Sequence, residues 1–209
     1  MNQSYAIPKL LSLPLTHSLL AALLIIEILG AAKLLPISEK PIWLGVLATN
    51  IGAWAFIGLV RWRQYQARDV WLTSWAAGLI VALVYFDAWG NMLDIYDQHR
   101  WFDVAVHTSS GFVGTAVMWQ ILHAFGQHYE LGMPLWVYGL FALFALTFAG
   151  VLVELLEWGA DRVYGIQYWL GNQIDTVGDL TANIAGGLVA IAGVYGYWWL
   201  RARLQKADS

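Results

Sequence analysis

Six stretches of about twenty mostly apolar residues decide what this chain can fold into: Thr16–Leu35, Ile42–Val60, Val70–Leu93, Val104–Phe125, Leu135–Leu156 and Leu180–Leu200. A run of that length is what an α-helix needs to cross the hydrocarbon core of a bilayer. Only a helix or a closed barrel satisfies every backbone N–H and C=O where no water is present. Composition agrees, since 59% of the 209 residues are hydrophobic and only 12% are charged, against about 25% charged in a soluble domain. The sequence predicts an all-α, polytopic membrane protein, a six-transmembrane-helix bundle filling a single domain over residues 1–209. Too little chain is left between the runs for a soluble domain, and neither an internal repeat nor a low-complexity tract is present.

The first run follows Lys9 and ends near small residues, as a signal peptide would, but its length and the acid Glu27 inside it favour a retained span. The chain has no Cys, which excludes disulfides, thiolate catalysis and cysteine-held metals without indicating a redox compartment. A net charge of -3 with no dense basic patch argues against nucleic acid as a partner. Lys and Arg in short loops mark the cytoplasmic side. Arg61, Arg63 and Arg68 fall between the second and third runs, and Arg201, Arg203 and Lys206 follow the sixth, outweighing Lys33 and Lys40 in the first outer loop. Both termini are therefore expected in the cytoplasm, and the location is expected to be the bacterial cytoplasmic (inner) membrane, with membrane lipids as partners and no protein partner indicated.

With that topology, four polar stripes converge on the extracytoplasmic leaflet. They are Asp87, Asn91 and Asp94 in the third span, Asp103 and His107 in the fourth, Glu154, Glu157 and Asp161 in the fifth, and Asp175, Asp179 and Asn183 in the sixth. The spacings of three, four, seven and eight residues put each set on one helical face. Plainer roles exist for some: Asp94, Asp97, Asp103 and Asp161 fall at span ends that water can reach, and Asp103 and Asp175 are placed to cap helix N-termini. Capping explains one acid per helix but not two.

Nine acids, Asp87, Asp94, Asp97, Asp103, Glu154, Glu157, Asp161, Asp175 and Asp179, face only Arg100 and Arg162 as nearby cations. Carboxylates crowded in low dielectric are protonated, paired or bound to a metal, and a single carboxylate at the bilayer centre costs at least about 2.5 kcal/mol. Asp103, His107, Glu154, Glu157, Asp175 and Asp179 are the candidate ligands of a divalent metal ion. Oxygen donors with one imidazole suit Mg, Mn, Fe or Ca, and Zn less well. Asp87, Asn91, Asp94, Asp161 and Asn183 are secondary candidates, and Glu27 and Asn50 are placed to support the ligands from behind. No His-Glu-x-x-His or Glu-x-x-His spacing is present, so the ion is left open.

The segments "WFDVAVHTSSGF" (Trp101–Phe112), "VELLEW" (Val153–Trp158) and "IDTVGDLTANIAGG" (Ile174–Gly187) resemble the Asp-x-x-x-His, Glu-x-x-Glu-Trp and Asp-Thr-x-x-Asp elements of the YjdF-like bacterial inner-membrane proteins. The resemblance covers about half the chain. It implies the same polytopic architecture and carries Asp103, His107, Glu154, Glu157, Asp175 and Asp179 over as that family's polar positions. Before Asp175 this chain has "YWLGNQ" where the family tends to show a Gly-Thr-Gln-Gly-Asp run. The last element is also loosely similar to VanZ-type membrane proteins.

Gly111, Gly114, Gly186 and Gly187 read as small residues at close helix contacts, and Tyr164, Tyr168, Trp169, Trp198 and Trp199 as interfacial belts. The stretch from Arg162 to Gln173 reads as an aromatic lid lying in the interface plane over the acids. His123, His128 and Glu130 are expected in solvent at the opposite face. Ser109 and Ser110 adjoin His107 without the strand-turn-helix context of a nucleophilic serine. The functional expectation is a metal-dependent membrane enzyme acting on a lipid or lipid-linked substrate. The alternatives are a proton- or cation-coupled transporter, and an accessory subunit whose polar cluster is structural.

Overall fold

The computed structural model describes residues 13–37, 42–165 and 173–207, and every regular element among them is helical: α1 (Leu13–Ala31), α2 (Trp43–Ala67), α3 (Ser74–Met92), α4 (Ile95–Gln98), α5 (Arg100–His128), α6 (Leu135–Tyr164) and α7 (Gln173–Ala207). Four helices are long and apolar enough to cross a membrane, over Pro14–Ala31, Trp43–Ala67, Leu135–Tyr164 and Ile174–Gln205. α3 and α5, at 19 and 29 residues, have the length as well. Their apolar character is diluted by Asp87 and Asn91 in α3 and by Asp103, His107, Ser109 and Ser110 in α5.

Local chemistry sets the boundaries. Arg68, at φ 54°, ends α2 in the left-handed region and donates its N–H back to the Gln64 carbonyl. Gln64 is buried, and its Oε1 accepts the Leu72 N–H at 3.1 Å, so the turn into α3 is held by a side chain in place of backbone. Asp94 is left-handed too, at φ 55°, a conformation that Asp tolerates better than most residues. It makes the corner from which α4 and then α5 reverse the chain. Pro134 precedes α6, where its missing N–H costs nothing, and Gly165 (φ 67°) closes α6 with its N–H on the Asp161 carbonyl.

Two apolar clusters hold the bundle. Leu20, Leu23, Ile42, Val46, Ile57, Leu72, Ala76, Ala77, Val81 and Val84 pack α1, α2 and α3 together and reach Val113 and Val117 of α5. A smaller cluster joins Trp119 of α5 to Tyr138 and Ala142 of α6, with Val194 and Trp198 of α7 against it. Outside these, large apolar side chains point away from the protein along whole helix faces, such as Phe141, Phe144, Phe148, Leu155 and Leu156 on α6. In water such a surface would drive aggregation; in lipid it is the solvent-facing side. The chain is membrane-embedded.

α5 and α7 approach each other closely. A Cβ on Gly111 would collide with the main chain of Asn183, and one on Gly186 with the main chain of Thr108 and Phe112. Gly187 faces Thr115 and Leu143 at 2.8 and 2.7 Å from where its Cβ would stand. Backbone therefore lies on backbone at this crossing, the arrangement that small residues permit in membranes. Gly111 is one turn beyond His107, and Gly186 is one turn beyond Asn183, so the crossing presses the polar stripes of the two helices together.

Some expectations are refined. The helices extend beyond the apolar runs: α6 continues to Tyr164, so Arg162–Tyr164 are the last turn of a helix, and α7 begins at Gln173. The rest of the expected lid, with Tyr168 and Trp169, lies outside the described residues. His123 is only partly exposed: it stacks on Trp119 (centroids 4.8 Å apart, 7° between planes) and meets Tyr138 and Trp198. His128 faces Asp69, with Nδ1 3.3 Å from Oδ2.

Candidate metal centre

The ends of α3 and α6 and the starts of α5 and α7 meet at one end of the bundle, which brings part of the predicted ligand set together. One ligand atom each from Asp103, His107 and Asp179 lie within 4.8 Å of one another. His107 Nε2 stands 3.5 Å from Asp103 Oδ1 and 3.7 Å from Asp179 Oδ1. Asp103 and His107 are one turn apart on α5, and Asp179 comes across from α7. The three are partly enclosed, with side-chain exposures of 28%, 21% and 12% in that order. This combines restricted water with an open side.

The distances carry chemical information. N–H···O hydrogen bonds run from about 2.7 to 3.2 Å, so the imidazole is looser on its two carboxylates than a tight ion pair. At these separations the cluster offers two carboxylate oxygens and one ring nitrogen, the donor types that hold a divalent cation.

The far side of the ring is held as well. Asn183, one turn after Asp179 and buried, places Nδ2 3.2 Å from His107 Nδ1. An amide nitrogen only donates, so in this orientation Nδ1 is the acceptor and Nε2 carries the ring proton towards the carboxylates. With the amide turned over, its oxygen accepts Nδ1–H, and the Nε2 lone pair is free for a cation. That is the usual way in which a neighbour orients a metal-binding imidazole. Asn183 therefore sets which atom His107 presents.

The other candidates divide. Glu154 is buried, bonds Thr176 of α7 and leaves Oε2 without a hydrogen-bond partner among the described residues. Glu157, one turn further along α6, lies within electrostatic reach of His107, Asp179 and Asp103. Asp175 is exposed and stands near Arg100. These three border the triad without entering its tightest grouping. Asp161 is buried near the end of α6.

Asp87 has its own partners: its Oδ1 accepts Tyr96 Oη–H at 2.7 Å and Asn91 Nδ2–H at 3.2 Å. Burial, and next to it the Asp87 carboxylate, push the Tyr96 phenol above its usual range. Asp94 turns the corner. Glu27 pairs with Asn50, Nδ2 to Oε2 at 3.0 Å. Tyr96 and Thr176 were not singled out by spacing. Each comes into place through a chain reversal or a neighbouring helix, and neither leaves a periodic trace.

The chain belongs to the family described as predicted membrane protein (DUF2238), which matches residues 15–202 and is the YjdF family that the motifs resemble. No curated protein and no solved structure matches it.

Proposed function

We propose, with membership of that membrane family as the premise, that the protein is a metal-dependent enzyme of the bacterial cytoplasmic membrane. It crosses the membrane six times with both termini in the cytoplasm, and the Asp103–His107–Asp179 centre faces the extracytoplasmic leaflet. The reading rests on one observation: three ligand-type side chains from two helices converge within 4.8 Å at the end of the bundle where the buried Glu154 Oε2 also has no hydrogen-bond partner among the described residues. The six-span count adds α3 and α5 to the four helices that qualify on length and composition. It is supported by their length and by the packing of α5 on α7, and the orientation by the Arg residues after α2 and α7.

A divalent cation of the Mg, Mn, Fe or Ca type, with Zn fitting less well, would polarise a phosphoryl or carbonyl oxygen and make water nucleophilic there. Asp103 and Asp179 supply charge and oxygen donors, and His107 supplies Nε2 when Asn183 accepts its Nδ1–H. Glu154 and Glu157 stand alongside to complete the coordination or to take a proton. The open side of the centre and the apolar face of α6 suit a lipid or lipid-linked substrate.

Elemental analysis of detergent-purified protein, wild type beside Asp179→Asn, tests this. Asn keeps the shape and removes the charge, so the variant should stay folded and lose the metal. Retained metal, or a metal-free wild type together with a more stable variant, would defeat the reading. In that event a proton- or cation-coupled transporter becomes the better account, favoured by a fully buried Glu27 that the metal set does not use.

A further inference from the structure

Away from the α5–α7 centre, α1 and α2 bury a second pair of polar side chains. Glu27 and Asn50 are both 0% exposed. Asn50 Nδ2 donates to Glu27 Oε2 at 3.0 Å and to the Leu20 carbonyl oxygen at 3.3 Å. The Leu20 carbonyl can only accept, so the amide cannot be turned over: both of its hydrogens are committed, one to the main chain of α1 and one to the carboxyl group. Two buried oxygens are left without a hydrogen-bond partner among the described residues, Glu27 Oε1 and Asn50 Oδ1. Buried polar atoms in native proteins are nearly always satisfied, and an exception calls for a cause.

One proton supplies it. A carboxylic acid and a primary amide pair as a ring, the amide N–H donating to one carboxyl oxygen and the acid O–H donating back to the amide oxygen. The amide half of that ring is in place, and the two oxygens without partners are those the acid half would join. We propose that Glu27 and Asn50 form an intramembrane proton-binding site, in which Glu27 is held as a neutral acid with its Oε1–H on Asn50 Oδ1. Uptake is the addition of one proton to the carboxylate and release is its loss, with no other bond changed. An ionised Glu27 would leave both oxygens unsatisfied and place a full charge on a side chain that is 0% exposed, which low dielectric strongly disfavours.

The titratable groups that face the pair come from α3. Asp87 and Tyr85 both interact with Glu27, and the Tyr85 hydroxyl is itself committed to the Leu19 carbonyl at 2.7 Å. Asp87 in turn lies within electrostatic reach of Asp103 and His107. Asp87 is thus within electrostatic reach of both Glu27 and the α5–α7 centre. The site holds whether or not that centre takes a cation.

Infrared difference spectroscopy of the purified full-length protein, recorded in H2O and D2O with a chelator present, tests the proposal. Glu27→Gln should stay folded, because its amide forms the same ring with Asn50, and should lose one protonated-carboxyl C=O band that shifts in D2O. A spectrum with no such band lost would mean that Glu27 is ionised and would overturn the proposal. Asn50→Ala is the second measurement and covers a failure of the first variant to fold. It should move the same band to higher frequency, as the C=O loses its amide donor; an unmoved band would refute the pairing. Thermal stability that climbs with sodium concentration at constant ionic strength, with no acid band lost in Glu27→Gln, would assign the pair to a metal cation and likewise overturn it.

Discussion

Replacing Gly186 with Ala adds one methyl group where α7 lies on α5. Its Cβ would stand 2.9 Å from the Phe112 nitrogen and the Thr108 carbonyl carbon, and nearer still to the Thr108 oxygen. Favourable carbon contacts begin near 3.5 Å. All three neighbours are main chain, so no rotamer change relieves the clash, and the helices must part by roughly 1.5 Å to restore that spacing at the Thr108 oxygen. Overpacking of this kind costs about 1–3 kcal/mol, and the better helix propensity of Ala returns at most about 1. The expected net loss is about 1–2 kcal/mol, or about 2–8 °C in melting temperature for a chain of this size. The same parting takes Asn183 Nδ2, now 3.2 Å from His107 Nδ1, out of hydrogen-bond range and loosens Asp179 from His107, so metal retention should fall in parallel. Gly193→Ala and Gly196→Ala, on the same helix with nothing within 4 Å of their would-be Cβ atoms, should be neutral or slightly stabilising. Thermal unfolding in detergent with metal analysis on the three variants reads both effects. A Gly186→Ala protein that melts and binds like the two controls would refute the idea that the crossing is backbone on backbone.

Tyr96→Phe removes the 2.7 Å hydrogen bond to Asp87 and should cost about 1 kcal/mol at neutral pH. Because the folded state holds the Tyr96 proton more tightly than the unfolded chain does, its stabilisation is intact below the ordinary phenol value of about 10 and is lost as pH rises beyond it. Unfolding measured from neutral to alkaline pH should therefore fall less steeply in the variant, and parallel curves would count against the linkage. A cysteine in place of Gln98, exposed at the end of α4, should react with an impermeant thiol reagent from the extracytoplasmic side of intact cells. Labelling only after the cytoplasm is opened would reverse the topology.

Much of this was visible in the chain because a membrane enforces simple rules. Apolar runs located the helices, and a spacing of four residues placed Asp103 with His107 and Asp179 with Asn183 on common faces. The four glycines of α5 and α7 were recognisable as contact residues. What spacing cannot supply is the rotation of one helix against another. It grouped Glu154, Glu157 and Asp175 with the triad on equal terms, although the crossing brings only Asp103, His107 and Asp179 to the tightest grouping. It placed Glu27 and Asn50 behind the ligands but could not show that the packing of α1 on α2 turns them towards each other. Asp87 looked like part of the same stripe; its partner Tyr96 lies nine residues on, beyond a left-handed corner at Asp94 that no periodicity announces. Helix ends were also hidden, because polar turns such as Arg162–Tyr164 continue a helix past its apolar run.

The glycine crossing of α5 and α7 also bears on selectivity. Side chains can rotate to fit ions of different radius, but peptide planes have no such freedom. At Gly111 and Gly186 the gap between the two helices is gauged by main-chain atoms, and the reach from Asp103 and His107 on one helix to Asp179 on the other inherits that gauge. A cation held there would be sorted by size through two residues that never touch it. Widening the crossing by one methyl group should then favour a larger ion over a smaller one before it abolishes binding altogether.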